Sequence, residues 1–419
     1  MVKILRILNR FNLGGPTLNA SFLTKHIGDE FETILIGGKH SDYEESSSYI
    51  LDNENIQYKI IPELQREINL KNDIIAYKKI KEIIKKEHPD IVHTHASKAG
   101  ILGRLAAIEH NVPIIVHTFH GHIFHSYFSK PKTKLFINLE KYLAKRTSKI
   151  ITISPLQRQE IKSILSLKAN KITTIPIGID TNKFQLNKEE KRYNFRTQYQ
   201  LKDTDIAIGI IGRLVPIKNH NLFIKAFSML KKSFSNTDKK RIKAFIIGDG
   251  DLKENLIKLC KNLNLKVWQK GMPLYDADIY FTSWIKDTTD VYHGLDIIAL
   301  SSLNEGTPVT LIEAQAAGKP VVATDVGGTA DTIVSGFSGW LSPSKDVYNF
   351  YNNLSNLILN EDLRYKAKNY GIPYVYKKYD YTNLIKNIRQ LYLSLLSEKE
   401  ITKKDIISTI KSKETAFSQ

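Results

Sequence analysis

Residues 295–328 read LDIIALSSLNEGTPVTLIEAQAAGKPVVATDVGG. The apolar run that opens this stretch has the length of a buried strand, and the polar, Gly- and Pro-containing segment after it turns the chain. An apolar helix follows, and PVVATD beyond Gly318 is a second strand. Strand, helix, strand in so few residues is the parallel crossover unit. The same alternation extends in both directions: IAIGIIG, KAFIIGDG and SGWLSP lie in the same half of the chain. KILRIL, ETILIGG, DIVHTH, PIIVHTF and KIITIS fill the first 180 or so residues. Between the halves, Asn187 to Thr204 is polar and rich in Lys, Glu and Arg.

This pattern predicts an α/β protein built of two Rossmann-like, doubly wound parallel-sheet domains. The expected boundaries are 1–186 for the first domain, 187–204 for a linker and 205–378 for the second. A closing helix is expected over 379–397, with Leu384, Ile385, Ile388, Leu391, Tyr392 and Leu395 on one stripe, then a polar tail over 398–419.

Composition narrows the functional classes. With 42% hydrophobic and 25% charged residues among 419, the chain has enough apolar material for more than one core. No run of 18 apolar residues is present to span a bilayer. Arg6 and Arg10 interrupt the apolar N-terminal run, which therefore reads as a first strand and not as a signal peptide. A single cysteine, Cys260, excludes an internal disulfide and agrees with a cytoplasmic location. The net charge of +18 favours anionic partners such as phosphorylated ligands, acidic lipid or nucleic acid. Nucleic acid is the weakest of these, because aromatics do not interleave with the cations as a stacking platform requires.

In an open parallel sheet the ligand lies beyond the carboxyl ends of the strands, so the residues just after each strand carry the chemistry. Gly14 and Gly15 follow the first strand and lead into a helix near Pro16, where backbone N–H groups can approach an anion. Arg213 and Lys218 follow IAIGIIG, and a guanidinium fork with an ammonium suits a diphosphate. Glu305 and Glu313 are separated by seven residues, about two helical turns, so they can bracket an elongated ligand. Gly306, Thr307, Pro308 and Val309 between them offer backbone N–H groups and a helix dipole to phosphate. Seven histidines lie between His93 and His125, but no cysteine or carboxylate completes a metal set, and no metal is expected. The acidic pairs in DGD (249–251) and DAD (276–278) are expected to be turn residues.

Taken together, the Gly14–Gly15 loop, PDIVHTHASKAGILGRLAA, HTFHGHIF, IITISPLQRQEI, IPIGID, GRLVPIKNH, the two-glutamate motif and SGFSGWL resemble the family 4 glycosyltransferases. The resemblance covers almost the whole chain. It implies the GT-B architecture, two such domains facing an interdomain cleft, and a retaining enzyme that uses a nucleotide sugar with no other cofactor. UDP is the expected nucleotide, carrying a hexose or N-acetylhexosamine. By the same resemblance His120 lies close to the donor sugar and Arg213 with Lys218 binds the diphosphate. Glu305 meets the transferred sugar, Glu313 the ribose, and the Gly14–Gly15 loop closes over the diphosphate. Relatives often carry glycine where this chain has Ser283. The implied acceptor is a glycan, with a lipid-linked intermediate of surface polysaccharide as the expected case. A nucleotide-sugar 2-epimerase of the same architecture is the alternative activity.

One segment, Ser129 to Lys149, sets Lys130, Lys132, Lys134, Lys141, Lys145, Arg146 and Lys149 around Leu135, Phe136, Ile137, Leu139, Tyr142 and Leu143. A basic amphipathic helix of this kind can lie on an anionic membrane surface. It can equally be a crossover helix with solvated lysines, and both readings stand.

Overall fold

The computed structural model describes residues 1–11, 15–39, 46–65, 67–121, 130–234 and 241–399. The chain forms two units, 1–179 with 381–419 and 180–380. In the first, strands β1 (Val2–Ile7), β2 (Phe31–Gly37), β3 (Tyr58–Ile60), β4 (Ile91–His95), β5 (Ile114–Phe119), β6 (Lys149–Thr152) and β7 (Ile172–Thr174) form a parallel sheet in the order β3-β2-β1-β4-β5-β6-β7. In the second, β8 (Ile206–Ile211), β9 (Ile242–Ile247), β10 (Val267–Gln269), β11 (Ile279–Ser283), β12 (Ile297–Leu300), β13 (Val321–Thr324) and β14 (Gly339–Ser342) run in the order β10-β11-β9-β8-β12-β13-β14.

β4, β5, β8, β9, β12 and β13 are buried at every position, because helices cover both faces of a parallel sheet and leave no residue to face water. That is why β8 and β12 read as unbroken apolar runs, whereas β4, β5 and β9 also bury polar residues: His93, Thr94 and His95, then His117 and Thr118, and Lys243. Each sheet reverses its winding once, between β1 and β4 in the first unit and between β8 and β12 in the second. A reversal of this kind splays the crossover helices apart and opens a crevice at the strand ends.

The domain boundaries differ from those read in the sequence. The second unit begins at Asp180, and the stretch expected as a linker holds the helix Lys188–Gln198. It packs on the helix Thr288–Gly294 by burying Phe195, while Arg196 donates to the Gly294 carbonyl (3.3 Å) and pairs with Asp296 (3.4 Å). A helix anchored by arginines and one aromatic is too polar to stand out from a linker by composition. The chain returns to the first unit at Tyr381. There the helix Tyr381–Glu398 lays Leu384, Ile388, Tyr392 and Leu395 against the core of β1, β4 and β5. Residues 400–419, most of the expected tail, lie outside the described residues. The stretch from Val267 to Tyr280, which has no assigned role in the sequence, supplies β10 and the start of β11 at one edge of the second sheet.

Candidate functional site

The reversal point of the second sheet collects most of the residues singled out in the sequence. β8 ends at Ile211, and Arg213 stands exposed just beyond it. The chain then makes the short turn Pro216–Lys218, which is stitched to the end of β12: Ser301 Oγ donates to the carbonyls of Lys218 (3.0 Å) and Asn219 (2.9 Å), and Leu303 N donates to Ile217 O (2.8 Å). This stitching places Lys218 Nζ 2.6 Å from Glu305 Oε1. Ser302 Oγ donates to the same oxygen (2.5 Å). Among the described residues Glu305 Oε2 has no such partner, so one carboxylate oxygen is held and the other is available to a ligand hydroxyl.

The backbone of Glu305 is fixed from the turn that follows β13, where Gly328 N donates to its carbonyl (3.1 Å). Gly327, at φ +51°, lies so close beneath that a Cβ would strike that carbonyl. Only glycine combines the left-handed backbone with the missing side chain.

The helix itself begins at Val309 and not at Gly306, with Pro308 as its capping residue. Glu305 therefore belongs to the loop, and the seven-residue separation from Glu313 is not two regular turns. Proline's restricted φ suits a helix entry, and Gly306 and Thr307 form the approach to it. Thr307 Oγ1 is buried without a hydrogen-bond partner among the described residues. Glu313, one turn into the helix, accepts from Tyr292 Oη at its Oε2 (2.9 Å), while Lys183 Nζ stands 3.8 Å from its Oε1.

Three of the four aspartates in DGD and DAD are engaged elsewhere. Asp276 pairs with Lys243 (2.7 Å) and Arg241 (3.2 Å), and Asp278 with Lys231 (2.8 Å). Asp249 accepts from Gly250 N (2.9 Å) and from Ser283 Oγ (2.8 Å). Among the described residues no three His, Cys, Asp or Glu side chains converge as ligands of a metal ion. Ser283 adopts φ +58°, the left-handed conformation that suits glycine, and its hydrogen bond to Asp249 offsets the strain of a side chain there.

In the first unit His93 and His95 are buried on β4, and His120, just past the end of β5, is half-buried beside them. Arg6 and the Tyr392 hydroxyl lie 3.3 and 2.6 Å from His93 Nδ1. A guanidinium only donates, so Nδ1 accepts and His93 Nε2 donates to Thr118 Oγ1 (2.8 Å). The His93 and His95 rings stack, with centroids 4.2 Å apart, and His95 Nδ1 meets His120 Nε2 at 3.0 Å. Burial pushes the pKa of His120 down to about 4. Burial, then neighbouring positive charge, holds His93 and His95 well below the usual histidine range. These imidazoles are neutral at physiological pH, suited to hydrogen bonding and not to carrying charge. Gly15 opens the helix Gly15–His26 after β1. Gly14, His122 and His125 lie outside the described residues.

A model of the family described as glycosyl transferases group 1 matches residues 191–373, and one described as glycosyltransferase family 4 matches residues 31–183, so each unit carries its own match. The chain belongs to these glycosyltransferases. Among curated relatives, the glycosyltransferase is 29% identical over 349 residues to the Escherichia coli UDP-Gal:alpha-D-GlcNAc-diphosphoundecaprenol alpha-1,3-galactosyltransferase, covering 83% of this chain and 86% of that protein. It is 28% identical over 366 residues to the capsular polysaccharide biosynthesis glycosyltransferase CapM of Staphylococcus aureus, covering 86% and 90%. Its fold is similar to that of Anabaena HepE solved with UDP-glucose, with a TM-score of 0.76 at 18% identity, covering 94% of this chain and 100% of that one. The glycosyltransferase is thus an α/β enzyme of GT-B fold.

Sequence reasoning missed Ser302, Tyr292 and His95 as partners of Glu305, Glu313 and His120. Ser302 lies three residues from Glu305 and His95 alternates with His93, so both carried a local signal. Tyr292 is 21 residues from Glu313 with no motif linking them.

Proposed function

We propose that this glycosyltransferase moves a sugar, with retention of anomeric configuration, from UDP to a lipid-linked glycan acceptor at the cytoplasmic membrane surface. The observation that carries the proposal is the Lys218–Glu305 pair at the reversal point of the second sheet, with Glu313 on the following helix. Departure of the sugar develops negative charge on the diphosphate and positive character at the anomeric carbon. Arg213, Lys218 and the backbone N–H groups around Thr307 would stabilise the former. Glu305 Oε2 would accept from hydroxyls of the transferred sugar, and Glu313 from the ribose. His120 would serve as a neutral hydrogen-bonding group toward the sugar, since burial keeps it uncharged.

Support for the donor and acceptor comes from the relatives: the E. coli protein is named for UDP-Gal and a diphosphoundecaprenol-linked sugar, and HepE was solved with UDP-glucose. No described helix is long and apolar enough to cross a membrane. The helix Lys130–Arg146 would be the element that meets the bilayer surface. It buries Glu140, Leu143 and Ala144 as a crossover helix must, yet leaves Leu135 at 68% and Tyr142 at 43% exposure among Lys132, Lys134 and Lys145. Exposed apolar groups beside lysines suit an anionic leaflet.

The test separates the two glutamates. Glu305→Gln should lower turnover far more than affinity for free UDP, and Glu313→Ala should weaken UDP itself. Calorimetric titration of both variants, alongside turnover, decides it, and equal losses of UDP affinity would refute the assignment.

A further inference from the structure

Tyr292 lies in the helix Thr288–Gly294, capped at its N-terminus by Asp287, whose carboxylate accepts from Thr289 N (2.9 Å). Its side chain is fully buried, and its ring meets that of Phe184, also fully buried, edge-on with centroids 5.7 Å apart. The phenol oxygen lies 2.9 Å from Glu313 Oε2. A carboxylate only accepts, so the tyrosine hydroxyl donates. Burial, and then the charge of Glu313, raise the tyrosine pKa well above its usual value, so the donor is never lost in the working pH range.

The bond does more than satisfy a buried phenol and a half-buried carboxylate. It occupies one oxygen of Glu313 and fixes the rotation of the carboxylate plane, which leaves Oε1 pointing in a set direction. The cation facing that oxygen, Lys183, is at 3.8 Å, beyond hydrogen-bond reach. A carboxylate oxygen that is already oriented forgoes the ordering cost of binding a hydroxyl.

We infer that Tyr292 is a positioning residue that aims Glu313 at the vicinal hydroxyls of the nucleotide's ribose, and so makes the enzyme select ribonucleotide donors over deoxyribonucleotide ones. The inference rests on the reading of Glu313 as the ribose partner. It extends that reading to a residue that touches no ligand and to a class of competitor, the 2′-deoxynucleoside diphosphate sugars.

The experiment is calorimetric titration of wild type and Tyr292→Phe with UDP, 2′-deoxy-UDP and 2′,3′-dideoxy-UDP. The Phe variant keeps the ring and its packing, and its thermal transition is measured alongside. Wild type should lose affinity stepwise as hydroxyls are removed. Tyr292→Phe should bind UDP about tenfold more weakly, as expected for a hydrogen bond to a charged group. It should bind dideoxy-UDP as wild type does, so that discrimination between the three ligands shrinks. Equal weakening toward all three ligands would overturn the inference, because a general loosening of the pocket cannot distinguish riboses. Unchanged UDP affinity would overturn it too. A wild type that binds UDP and dideoxy-UDP alike would instead overturn the ribose reading of Glu313 beneath it, a result the variant is not needed to see.

Discussion

Replacing His220 with leucine should remove part of the acid sensitivity of the second unit. His220 opens the helix His220–Phe234, is 1% exposed, and has no hydrogen-bond partner at either ring nitrogen among the described residues. Burial, and then the charge of Lys218, lower its pKa to about 4. The unfolded chain protonates this imidazole near pH 6.5 and the folded chain does not, so the unfolded state binds the extra proton between those values. Stability is therefore untouched above 6.5 and falls as the pH drops through the window from 6.5 toward 4. At about pH 5 the unfolded state has gained about 1.5 pH units of protonation, which corresponds to about 2 kcal/mol lost relative to pH 7. Leucine cannot take up the proton, and it also removes a buried N–H that lacks a partner. All three tryptophans, Trp268, Trp284 and Trp340, lie in the second unit, so denaturant titration followed by tryptophan fluorescence reads that unit alone. Between pH 7 and 5 wild type should lose about 2 kcal/mol more than His220→Leu. An identical loss in both proteins would show that His220 takes up its proton in the folded state, and the argument from burial would fail.

Arg213→Ala and Lys218→Ala should each slow transfer by about a hundredfold or more at saturating donor, the usual consequence of removing a preorganised partner of a developing anion, while folding survives. Near wild-type turnover in either variant would refute the diphosphate clamp. Transfer should persist in excess EDTA, since Asp276 and Asp278 are already paired with Lys243, Arg241 and Lys231. Full loss restored by magnesium or manganese would refute this. Sedimentation with vesicles containing anionic lipid should fall when Lys132, Lys134, Lys141 and Lys145 are changed to Gln, and high salt should release the wild type, because such attraction is screened within about 8 Å at physiological ionic strength. Equal sedimentation of wild type and variant would leave the helix Lys130–Arg146 as a solvated crossover helix only.

The central strands and the two-glutamate motif were legible in the sequence for physical reasons. Strands covered on both faces are largely apolar, and a loop that meets a ligand at a strand end concentrates its polar residues within a few positions. What was not legible depended on tertiary context. β3, β7 and β10 are three residues each, too short for periodicity, and β3 is largely exposed. The helix Lys188–Gln198 holds its place through Arg192, Arg196 and Asp296, pairings that composition cannot reveal. The helix start at Val309 was hidden by the spacing of Glu305 and Glu313, which mimics a helical repeat although Glu305 lies in the loop. Tyr292 gave no signal, because a fully buried tyrosine looks like core until its hydroxyl is seen on Glu313.

The most direct test of the account is product analysis by NMR after incubating the protein with a panel of UDP-sugars and a polyprenyl-diphosphate-linked monosaccharide. The account predicts that one UDP-sugar is consumed far faster with the acceptor than without it. UDP should be released in step with a new glycosidic bond of the donor's own anomeric configuration. A free epimerised sugar formed without acceptor, or a product of inverted configuration, would contradict it.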